Sequence, residues 1–366
     1  MRINKLKLTN FRNYENVEIE FSKGVNIILG DNGVGKTNLV EAIDFLTIGK
    51  SFKTNDEKEM IRFDQSFAKF HLEMTRKEKI ELDCVISQVG KRISFNDIEL
   101  KKLSELNGKL VDVLFVPEDV SFFKNDPSNR RRFLDLNISF LRKDYLKDLS
   151  EYKKLLKERN TLLKEENIDE NLIRIITEQM IDIQYRIITH RKDMVRKLNL
   201  LINDKFQNLD QGKNYVSLVY ETIYSNLENF ERFKEKLKEI YEDDLKTDMR
   251  RKSTSRGIHH DDLIMLLNGR EIGVYGSQGQ NRIGALSLKL SIFEILKKEL
   301  NEEPIVILDD VLSELDILHQ QKLIEELTKI EQVFITCAKE DYYFKDCSTY
   351  VVTNSSVIRR NWLCKN

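Results

Sequence analysis

The sequence lacks the features of secreted and membrane-spanning chains. No apolar run approaches the roughly 20 residues of a membrane span. The first seven residues have no apolar core of the signal-peptide kind, so we expect them to form a strand. The cysteines are scattered and include no CxxC pair, which argues against a zinc site or a disulfide framework and favours a reducing, cytoplasmic location. They are Cys84, Cys337, Cys347 and Cys364.

An excess of one charge is also missing. The 366 residues include 60 Lys and Arg against 61 Asp and Glu, a formal net charge of −1. Binding to nucleic acid would therefore depend on local basic patches and not on global charge. Charged residues make up 33% and hydrophobic residues 40% of the chain. This composition is typical of a soluble globular protein with one large or two medium domains.

Residues 30–37, GDNGVGKT, complete the pattern GxxxxGK[ST] of a phosphate-binding loop. An apolar, β-branched run at 25–29 precedes them, and apolar residues at helical spacing follow at 39–46. A strand that leads through a glycine-rich turn into a helix directs backbone N–H groups and the positive end of the helix dipole at an anion. Lys36 can then contact the β- and γ-phosphates, and the Thr37 hydroxyl can bind Mg²⁺. The segment predicts binding of ATP or GTP.

A second nucleotide-facing element occurs at residues 304–311, PIVILDDV, a continuous apolar strand that ends in two carboxylates. Parallel strands buried on both faces have this composition, and ligands of open α/β sheets bind at the carboxyl ends of the strands. We expect Asp309 to hold Mg²⁺ through water, and Asp310 to orient or deprotonate the attacking water.

A long helical insertion separates these two elements. Residues 130–206 contain no glycine or proline. Apolar residues follow a mostly heptad spacing at 145–163 and again at 173–201, on either side of an acidic link at 165–169. The pattern predicts an antiparallel helical hairpin, a short arm. The segments predicted after it are a strand at 215–223, a charged helix at 227–245 and a basic, flexible loop at 249–257.

A second anion-receiving helix start is predicted at residues 275–282, YGSQGQNR, just before an apolar helical run. Ser277 and Gly279 offer a small hydroxyl and a close backbone approach there. One triphosphate rarely needs two such helix starts in one chain, so we expect the second to close over a nucleotide that another copy binds. A plain helix N-cap is the alternative interpretation.

Six segments together resemble the RecF family of bacterial recombination proteins, and they occur in order over nearly the whole chain. They are residues 10–14 (NFRNY), 30–37, 126–135 (DPSNRRRFLD), 257–262 (GIHHDD), 277–282 (SQGQNR) and 308–316 (LDDVLSELD). RecF proteins resemble the head domains of SMC-type ABC ATPases without the long coiled coil or zinc hook. The resemblance implies an α/β P-loop head that the helical insertion splits in sequence. The implied domains are 1–125 with Walker A, 126–207 as the helical arm, and 208–366 with the signature motif, Walker B and D-loop.

The same resemblance implies an ATP-dependent homodimer with ATP and Mg²⁺ as cofactors. It would bind DNA at gaps or junctions and, with RecR and RecO, help to load RecA during repair and replication restart. The residues that carry over as nucleotide contacts are Arg12, Asn32, Gly33, Val34, Gly35, Lys36, Thr37 and Asn38. The residues implied at the dimer seam are Ser277, Gly279 and Gln280 of the signature motif, and Ser313, Glu314 and Asp316 of the D-loop. Asp310, Lys36 and Ser277 are the implied catalytic set.

Three positions depart from the usual ABC ATPase pattern. Asp310 stands where most members have glutamate; its shorter side chain would position water less well, so we predict slow hydrolysis that acts as a release switch. The switch histidine is absent from residues 334–337, where Thr336 is a weak substitute. Glu118 or Asp119 would replace the glutamine that contacts Mg²⁺.

Two basic segments are candidate DNA contacts, because phosphate neutralisation gives salt-sensitive, sequence-independent binding. They are Arg130, Arg131 and Arg132, and then Arg250, Arg251, Lys252 and Arg256. A solvated basic face is the alternative interpretation of either segment. No aromatic residues alternate with them, which favours duplex or junction backbone contact over base stacking. The cluster HHDD at 259–262 is interpreted as structural or nucleotide-adjacent, since neighbouring strand side chains point to opposite faces.

Two other protein classes would also explain a phosphate loop. In the nucleotide-binding subunit of a membrane transporter, the signature motif follows the loop far more closely than the 247 residues that separate positions 30 and 277 here. A small-molecule kinase would account for the loop but for neither 277–280 nor 313–316.

Overall fold

The structure is a computed structural model that describes residues 1–210, 212, 214–338, 347–353 and 356–360. Cys364, one of the four cysteines considered above, lies outside these residues. The chain forms two compact units: the first comprises residues 1–119 and the chain from 292 onwards, and the second comprises residues 120–291. The division into three parts at 125/126 and 207/208 remains a proposal.

The strands of the described residues are numbered in chain order. They are β1 Arg2–Phe11, β2 Tyr14–Glu20, β3 Gly24–Leu29, β4 Phe67–Thr75, β5 Lys79–Ser87, β6 Gly90–Phe95, β7 Ile98–Glu99, β8 Asp112–Phe115, β9 Val216–Glu221, β10 Asp262–Leu267, β11 Arg270–Glu271, β12 Ile305–Asp309, β13 Gln332–Cys337, β14 Cys347–Thr353 and β15 Ser356–Arg360.

The α-helices of the same residues are numbered likewise. They are α1 Lys36–Ile48, α2 Pro127–Leu141, α3 Lys143–Leu162, α4 Glu170–Asn199, α5 Ile202–Asp210, α6 Phe230–Arg251, α7 Ile272–Tyr275, α8 Gln278–Leu300 and α9 Ile317–Leu327.

The core sheet of the first unit has the strand order β15-β14-β3-β13-β12-β8, with all strands parallel except β15. Nearly every residue of β3, β12 and β13 is buried, as expected of parallel strands covered on both faces. Because β13 lies between β3 and β12, their carboxyl ends meet at one edge: Leu29 pairs with Cys337, and Asp309 pairs with Thr336. The predicted strands before the phosphate loop and the two carboxylates are confirmed.

The first unit also contains an antiparallel sheet, in the order β2-β1-β4-β5-β6-β7. Helix α1 packs on β12 and β13 of the core sheet. It contacts the antiparallel sheet through an aromatic pair. The ring of Phe45 on α1 stacks on Phe70 of β4, with centroids 5.3 Å apart. The amide of Gln332 on β13 accepts from Ile3 N at 2.7 Å and donates to Ile3 O at 2.8 Å. These contacts join the antiparallel sheet to α1 and to the core sheet.

In the second unit, α3 and α4 form the predicted antiparallel hairpin. Asp148 pairs with Arg186, and Arg159 donates to Thr177. Residue numbers therefore increase along α3 in the direction in which they decrease along α4, as in an antiparallel pair. Helix α4 packs in turn on α6 and on β9, the edge of a three-stranded sheet ordered β11-β10-β9. The hairpin is therefore packed along its length within its unit.

The prediction of a flexible loop at 249–257 is wrong. Helix α6 continues to Arg251, so the first residues of that segment are helical. The buried Asp248 carboxylate accepts from Ser255 N at 2.9 Å and pairs with Arg159 Nη1 at 2.7 Å. Thr254, also buried, donates its hydroxyl to Asn160 Oδ1 at 2.7 Å. These hydrogen bonds hold the loop after α6 in one conformation.

Candidate nucleotide-binding site

The phosphate-binding loop joins β3 to α1, and the β1–β2 turn supports it from one side. Asn13 Nδ2 donates to Val34 O at 2.8 Å, and the Tyr14 hydroxyl donates to Gly35 O at 3.0 Å. Gly35 has a φ of 112°, and a Cβ there would lie 2.4 Å from Asn13 Nδ2. Glycine is thus required at position 35 both by its backbone conformation and by the close approach of Asn13.

Lys36 is buried at the start of α1, and its ammonium group is held inside the loop. Nζ donates to Gly30 O at 2.7 Å and to Asp31 O at 2.9 Å. The first turn of α1 contains no acidic residue. The positive end of the helix dipole and the lysine therefore act together, and the loop suits a phosphate group.

Asp309 accepts hydrogen bonds from two threonines at the edge of the core sheet. Thr37 Oγ1 donates to Asp309 Oδ1 at 3.0 Å, and Thr336 Oγ1 donates to the same oxygen at 2.7 Å. Burial raises the pKa of the Asp309 carboxyl, and the two hydroxyl donors oppose that rise. Since Thr37 points its proton at Asp309, its oxygen lone pairs are available to a cation. A hydroxyl and a carboxylate are hard oxygen ligands, so these residues fit Mg²⁺.

Asp310 combines an unusual backbone conformation with an unpartnered oxygen. Its φ of 52° lies in the left-handed region, which non-glycine residues adopt rarely and often at functional sites. Its N–H donates to Thr336 Oγ1 at 2.9 Å. Oδ1 is shielded from solvent and has no hydrogen-bond partner among the described residues. This carboxylate oxygen is an acceptor available to a water molecule.

Arg12, a predicted nucleotide contact, is bound within the first unit. Its guanidinium pairs with Glu41 through two hydrogen bonds, at 2.7 and 3.0 Å, and donates to Glu59 O at 2.9 Å. Glu41 is fully buried on α1 and also accepts from Ser51 Oγ. In this arrangement Arg12 fixes the β1–β2 turn to α1 and uses three of its five N–H donors.

Ser277 and Gln280 form a reciprocal capping box at the start of α8. Ser277 N donates to Gln280 Oε1 at 2.9 Å, and Gln280 N donates to Ser277 Oγ at 3.2 Å. The buried Asn281 donates through Nδ2 to Gly276 O and Ser277 O, which fixes the turn before the helix. Ser277 and Gly279 are exposed. The hydrogen bonds are those of a helix N-cap, the alternative interpretation given above. The same helix start is exposed to solvent.

The D-loop segment is tied to its own unit at both ends. Ser313 Oγ donates to Asp310 O at 2.8 Å. Asp316 caps α9 by accepting from His319 N at 3.0 Å, and this hydrogen bond is the main reason that the pKa of Asp316 is lowered. Ser313, Glu314 and Asp316 are exposed.

The two acidic candidates for the Mg²⁺-contacting loop differ in their surroundings. The Asp119 carboxylate accepts a hydrogen bond from Val116 N, whereas Glu118 is exposed.

The two predicted DNA-contact segments contain both buried and exposed cations. Arg130 is buried on α2 and forms two hydrogen bonds with Asp262, at 2.7 and 2.8 Å, so its prediction as a DNA contact is wrong. Arg131 donates to Asp261 O, and Arg256 pairs with Asp244 at 2.6 Å. The exposed cations that form no ion pair with a described residue are Arg132, Arg250, Arg251 and Lys252.

The HHDD cluster at 259–262 has a structural role in the second unit. The Tyr152 hydroxyl hydrogen-bonds His259 Nδ1 at 2.8 Å, and burial lowers the pKa of His259 to about 4. Asp261 pairs with the buried Arg191 at 2.9 Å, and Asp262 pairs with Arg130. Within the described part of the chain, no three His, Cys, Asp or Glu side chains are grouped so as to hold a metal ion.

Two contributors to the site were not identified from the sequence as supports of the loop. Asn13 holds the loop at Val34, and Glu41 binds both Arg12 and Ser51. The only sequence signal for Asn13 was its place in residues 10–14, one of the segments that resemble the RecF family. Glu41 gave no signal, since a glutamate in a helix is ordinarily exposed.

The sheet order, the phosphate loop and the carboxylate at the end of β12 define a P-loop ATPase with an ABC-type head. Residues 5–340 match the family described as AAA domain. A solved Smc head domain from Pyrococcus furiosus has the same fold, with a TM-score of 0.58 and 18% identity over 98% of this chain and 96% of that chain. The fold is therefore that of an SMC-type head domain.

The relatives within this class are more specific. The DNA replication and repair protein RecF of Bacillus pumilus is 38% identical over 343 residues, covering 92% of this chain and 93% of the relative. RecF of Bacillus subtilis is 36% identical and covers 93% of this chain and 94% of its own. A solved structure of the recombination mediator protein RecF-ATP in the RecFOR pathway has a TM-score of 0.90 and 33% identity over 98% of each chain. This chain belongs to the RecF family.

Family membership replaces the transporter-subunit and kinase interpretations with that of a RecF-like DNA repair ATPase that binds ATP. Among the helices that the structure describes, none is long and apolar enough to cross a membrane.

Proposed function

We propose that this protein is an ATP-gated DNA clamp. Two copies associate when they bind ATP and Mg²⁺, the dimer binds DNA at gaps or junctions, and slow hydrolysis releases it. The observation that carries the proposal is the exposed start of α8. Ser277, just before the helix, and Gly279 in its first turn are exposed, and that turn contains no acidic residue. Such a helix start receives an anion, here the γ-phosphate of ATP bound by the other copy.

The first half of the active site consists of Lys36, Thr37 and Asp309. Lys36 exchanges its carbonyl partners for phosphate oxygens, and the loop N–H groups bind the remaining phosphate charge. Thr37 and Asp309 hold Mg²⁺, the aspartate through water. When bound there, Mg²⁺ would supply positive charge that offsets the charge of the phosphates. Asn32, Gly33, Val34, Gly35 and Asn38 complete the binding loop.

Asp310 orients the attacking water through its unpartnered Oδ1. Thr336 keeps this residue in place because its hydroxyl accepts the Asp310 N–H. The aspartate is one methylene shorter than the glutamate of most ABC ATPases, so the water is held less well and turnover is slow. Slow turnover suits a timed release of DNA.

The second half of the active site is supplied by the partner copy. A Cβ at Gly279 would meet no atom closer than Ser277 Oγ at 4.0 Å, so the packing of this chain does not require glycine there. Apolar side chains next to the two seam segments are 56% to 70% exposed, and exposed apolar groups of this kind favour coverage by a partner. They are Val274, Tyr275, Ile317 and Leu318.

Family membership supports the proposed DNA and protein partners. Relatives named as RecF act in replication and repair, and one solved relative is described in the RecFOR pathway. We therefore propose RecR and RecO as partners, with RecA loaded downstream. Arg132, Arg250, Arg251 and Lys252 are exposed and remain candidate phosphate contacts.

The test is the solution mass of the purified protein with and without ATP and Mg²⁺, with Asp310→Asn used to suppress hydrolysis. The expected result is a monomer that becomes a dimer only with ATP, because each nucleotide joins two half-sites. Lys36→Met removes the phosphate contact and should stay monomeric. Ser277→Arg should still bind ATP as a monomer but form no dimer. A mass that ignores ATP in the Asp310→Asn protein would overturn the clamp mechanism.

A further inference from the structure

One exposed face of α3 carries lysines at regular spacing. Steps of four and three residues keep side chains on one side of a helix. The residues on this face are Lys143, Lys147, Ser150, Lys154, Lys157 and Thr161, and Lys164 follows in the turn after the helix. All of them are exposed. The five lysines are named here the lysine stripe; the face that carries them is about 27 Å long from 143 to 161 at 1.5 Å per residue.

The lysine stripe is free of internal ion pairs, unlike the lysines of a neighbouring helix. Three lysines of α6 each pair with a carboxylate at 2.6 to 2.9 Å. No lysine of the stripe pairs with any residue that the structure describes, although Glu151 and Glu158 follow Lys147 and Lys154 at the spacing that commonly pairs on a helix. Five ammonium groups therefore remain available to an external anion.

The helix beneath the stripe is rigidly held. On its opposite face, Tyr145 and Tyr152 are buried. Asp148 pairs with Arg186 of α4 at 2.7 Å, and the buried Arg159 pairs with Asp248 of α6 at 2.7 Å. The backbone positions of the lysines are thus fixed before any ligand binds, which lowers the entropic cost of binding.

The basic end of α6 lies at the same end of α3 as Lys157 and Lys164. Leu163, just after α3, packs with Leu245 and Met249 of α6 in one apolar cluster. The segment after Lys252 is held beside α3 because Thr254 N and Oγ1 both donate to Asn160 Oδ1 at 2.7 Å. The exposed cations of 250–252 therefore lie near the end of α3 that carries Lys157 and Lys164.

We propose that the lysine stripe binds the phosphate backbone of duplex DNA. This inference rests on the proposed function and gives it a contact surface. Lysine acts as a point charge for phosphate, and the stripe has neither the planar arginine forks that read bases nor the aromatic rings that stack on single strands. A straight, rigid row of about 27 Å matches about eight base pairs of B-form DNA at 3.4 Å each. A flexible single strand gains nothing from that straightness.

The test compares DNA affinity across a range of salt concentrations, with ATP and Mg²⁺ present and a gapped duplex as the probe. In the test variant, all five lysines of the stripe are changed to glutamine. Each contacted phosphate contributes about 0.9 to the slope of log affinity against log salt, so the loss of five contacts should reduce the slope by up to about 4.5. Affinity at moderate salt should fall by about tenfold or more. The ATP-dependent dimer mass should not change, because the stripe lies outside the nucleotide site.

Two matched controls separate charge at this face from charge in general. Lysine-to-arginine changes at the same five positions keep the charge and should retain the affinity and the slope. Five exposed lysines elsewhere, also without described ion pairs, are changed to glutamine in the second control and should leave the slope unchanged: Lys23, Lys77, Lys101, Lys102 and Lys298.

The outcomes distinguish this inference from the proposed function. If the wild-type protein binds DNA and the stripe variant keeps its salt slope, the stripe is not the DNA surface, whereas the clamp still stands. If the stripe variant keeps its DNA binding but loses binding to purified RecR or RecO, the stripe is a protein-docking face and the inference is overturned. If the wild-type protein binds no DNA in any nucleotide state, the proposed function fails as well.

Discussion

Thr336 on β13 donates a 2.7 Å hydrogen bond to Oδ1 of Asp309, the last residue of β12. The same hydroxyl accepts from Asp310 N at 2.9 Å. One side chain on the neighbouring strand therefore positions both acidic residues. Thr336 stands in the segment where the switch histidine of ABC ATPases would be sought, and its hydroxyl connects the two carboxylates through direct contacts. We assign it a positioning role.

Replacing Thr336 with valine keeps the shape and removes these hydrogen bonds. Asp309 then loses one of its two hydroxyl donors, and the Asp310 N–H loses its acceptor. Residues that support a metal ligand typically contribute 10- to 100-fold to affinity or activity, so we expect ATP hydrolysis to need about tenfold more Mg²⁺ or more. The measurement is the Mg²⁺ dependence of the hydrolysis rate. Thr336→Ser restores the hydroxyl and is the control; a wild-type Mg²⁺ dependence in the valine variant would refute the positioning role.

Asp309→Asn should separate stability from nucleotide binding. Burial raises the pKa of Asp309, so the folded state holds this proton to a higher pH than the unfolded state does. The contribution to stability is therefore largest at low pH, falls as pH rises from 3.8 through the raised pKa, and remains a cost at neutral pH. We expect the nucleotide-free variant to melt at pH 7.5 no lower than the wild type, and to lose the stabilisation by ATP and Mg²⁺. A variant that melts several degrees lower without nucleotide would contradict this account.

The elements of the fold that depend on local pattern could be predicted from the sequence. The phosphate loop and the strand that ends at Asp309 each combine a short apolar run with a polar end, so neither depends on a distant partner. The α3–α4 hairpin followed from apolar spacing for the same reason. Its buried arginine, Arg159, interrupts that spacing because it pairs with Asp248, 89 residues away.

The partners of charged residues could not be predicted in this way. The run of arginines at 130–132 looks uniform in sequence, but Arg130 shares the buried face of α2 with Leu134 and Ile138. Its partner Asp262 is 132 residues away, so only the folded chain reveals that Arg130 is neutralised. Thr336 was a weak candidate for the same reason. Its contacts with Asp309 and Asp310 depend on the strand order, which places β13 between β3 and β12.

His259 should make the second unit less stable in mild acid. Burial lowers its pKa to about 4, from an ordinary value of 6.5. The unfolded chain therefore binds more protons than the folded chain between these values, and stability falls as pH decreases from 6.5 towards 4. Melting temperatures at pH 7.5 and 5 measure the effect. His259→Gln has no titrating ring, so its loss between the two pH values should be smaller; an equal loss would assign the acid sensitivity to other groups.

The buried pair of Arg159 and Asp248 should be sensitive to loss of either partner. The guanidinium is 1% exposed and the carboxylate is fully buried, and Nη1 and Oδ2 are 2.7 Å apart. Arg159→Met leaves the carboxylate without its cation and also removes the donor to Thr177 Oγ1. Removing one partner of a buried pair typically costs about 3–5 kcal/mol, so we expect a loss of this size in the free energy of unfolding, measured with urea.

The double variant Arg159→Met/Asp248→Asn distinguishes a stranded charge from lost packing. Without the Asp248 carboxylate, no buried charge is left unpaired. The side-chain amide that replaces it can still accept a hydrogen bond from Ser255 N through its oxygen. We therefore expect the double variant to be more stable than Arg159→Met alone, with a coupling energy of about 1–3 kcal/mol between the two changes. If the losses in the free energy of unfolding of the two single variants simply add in the double variant, the ion pair contributes no coupling energy. The loop after α6 is then held by Thr254 and Ser255 alone.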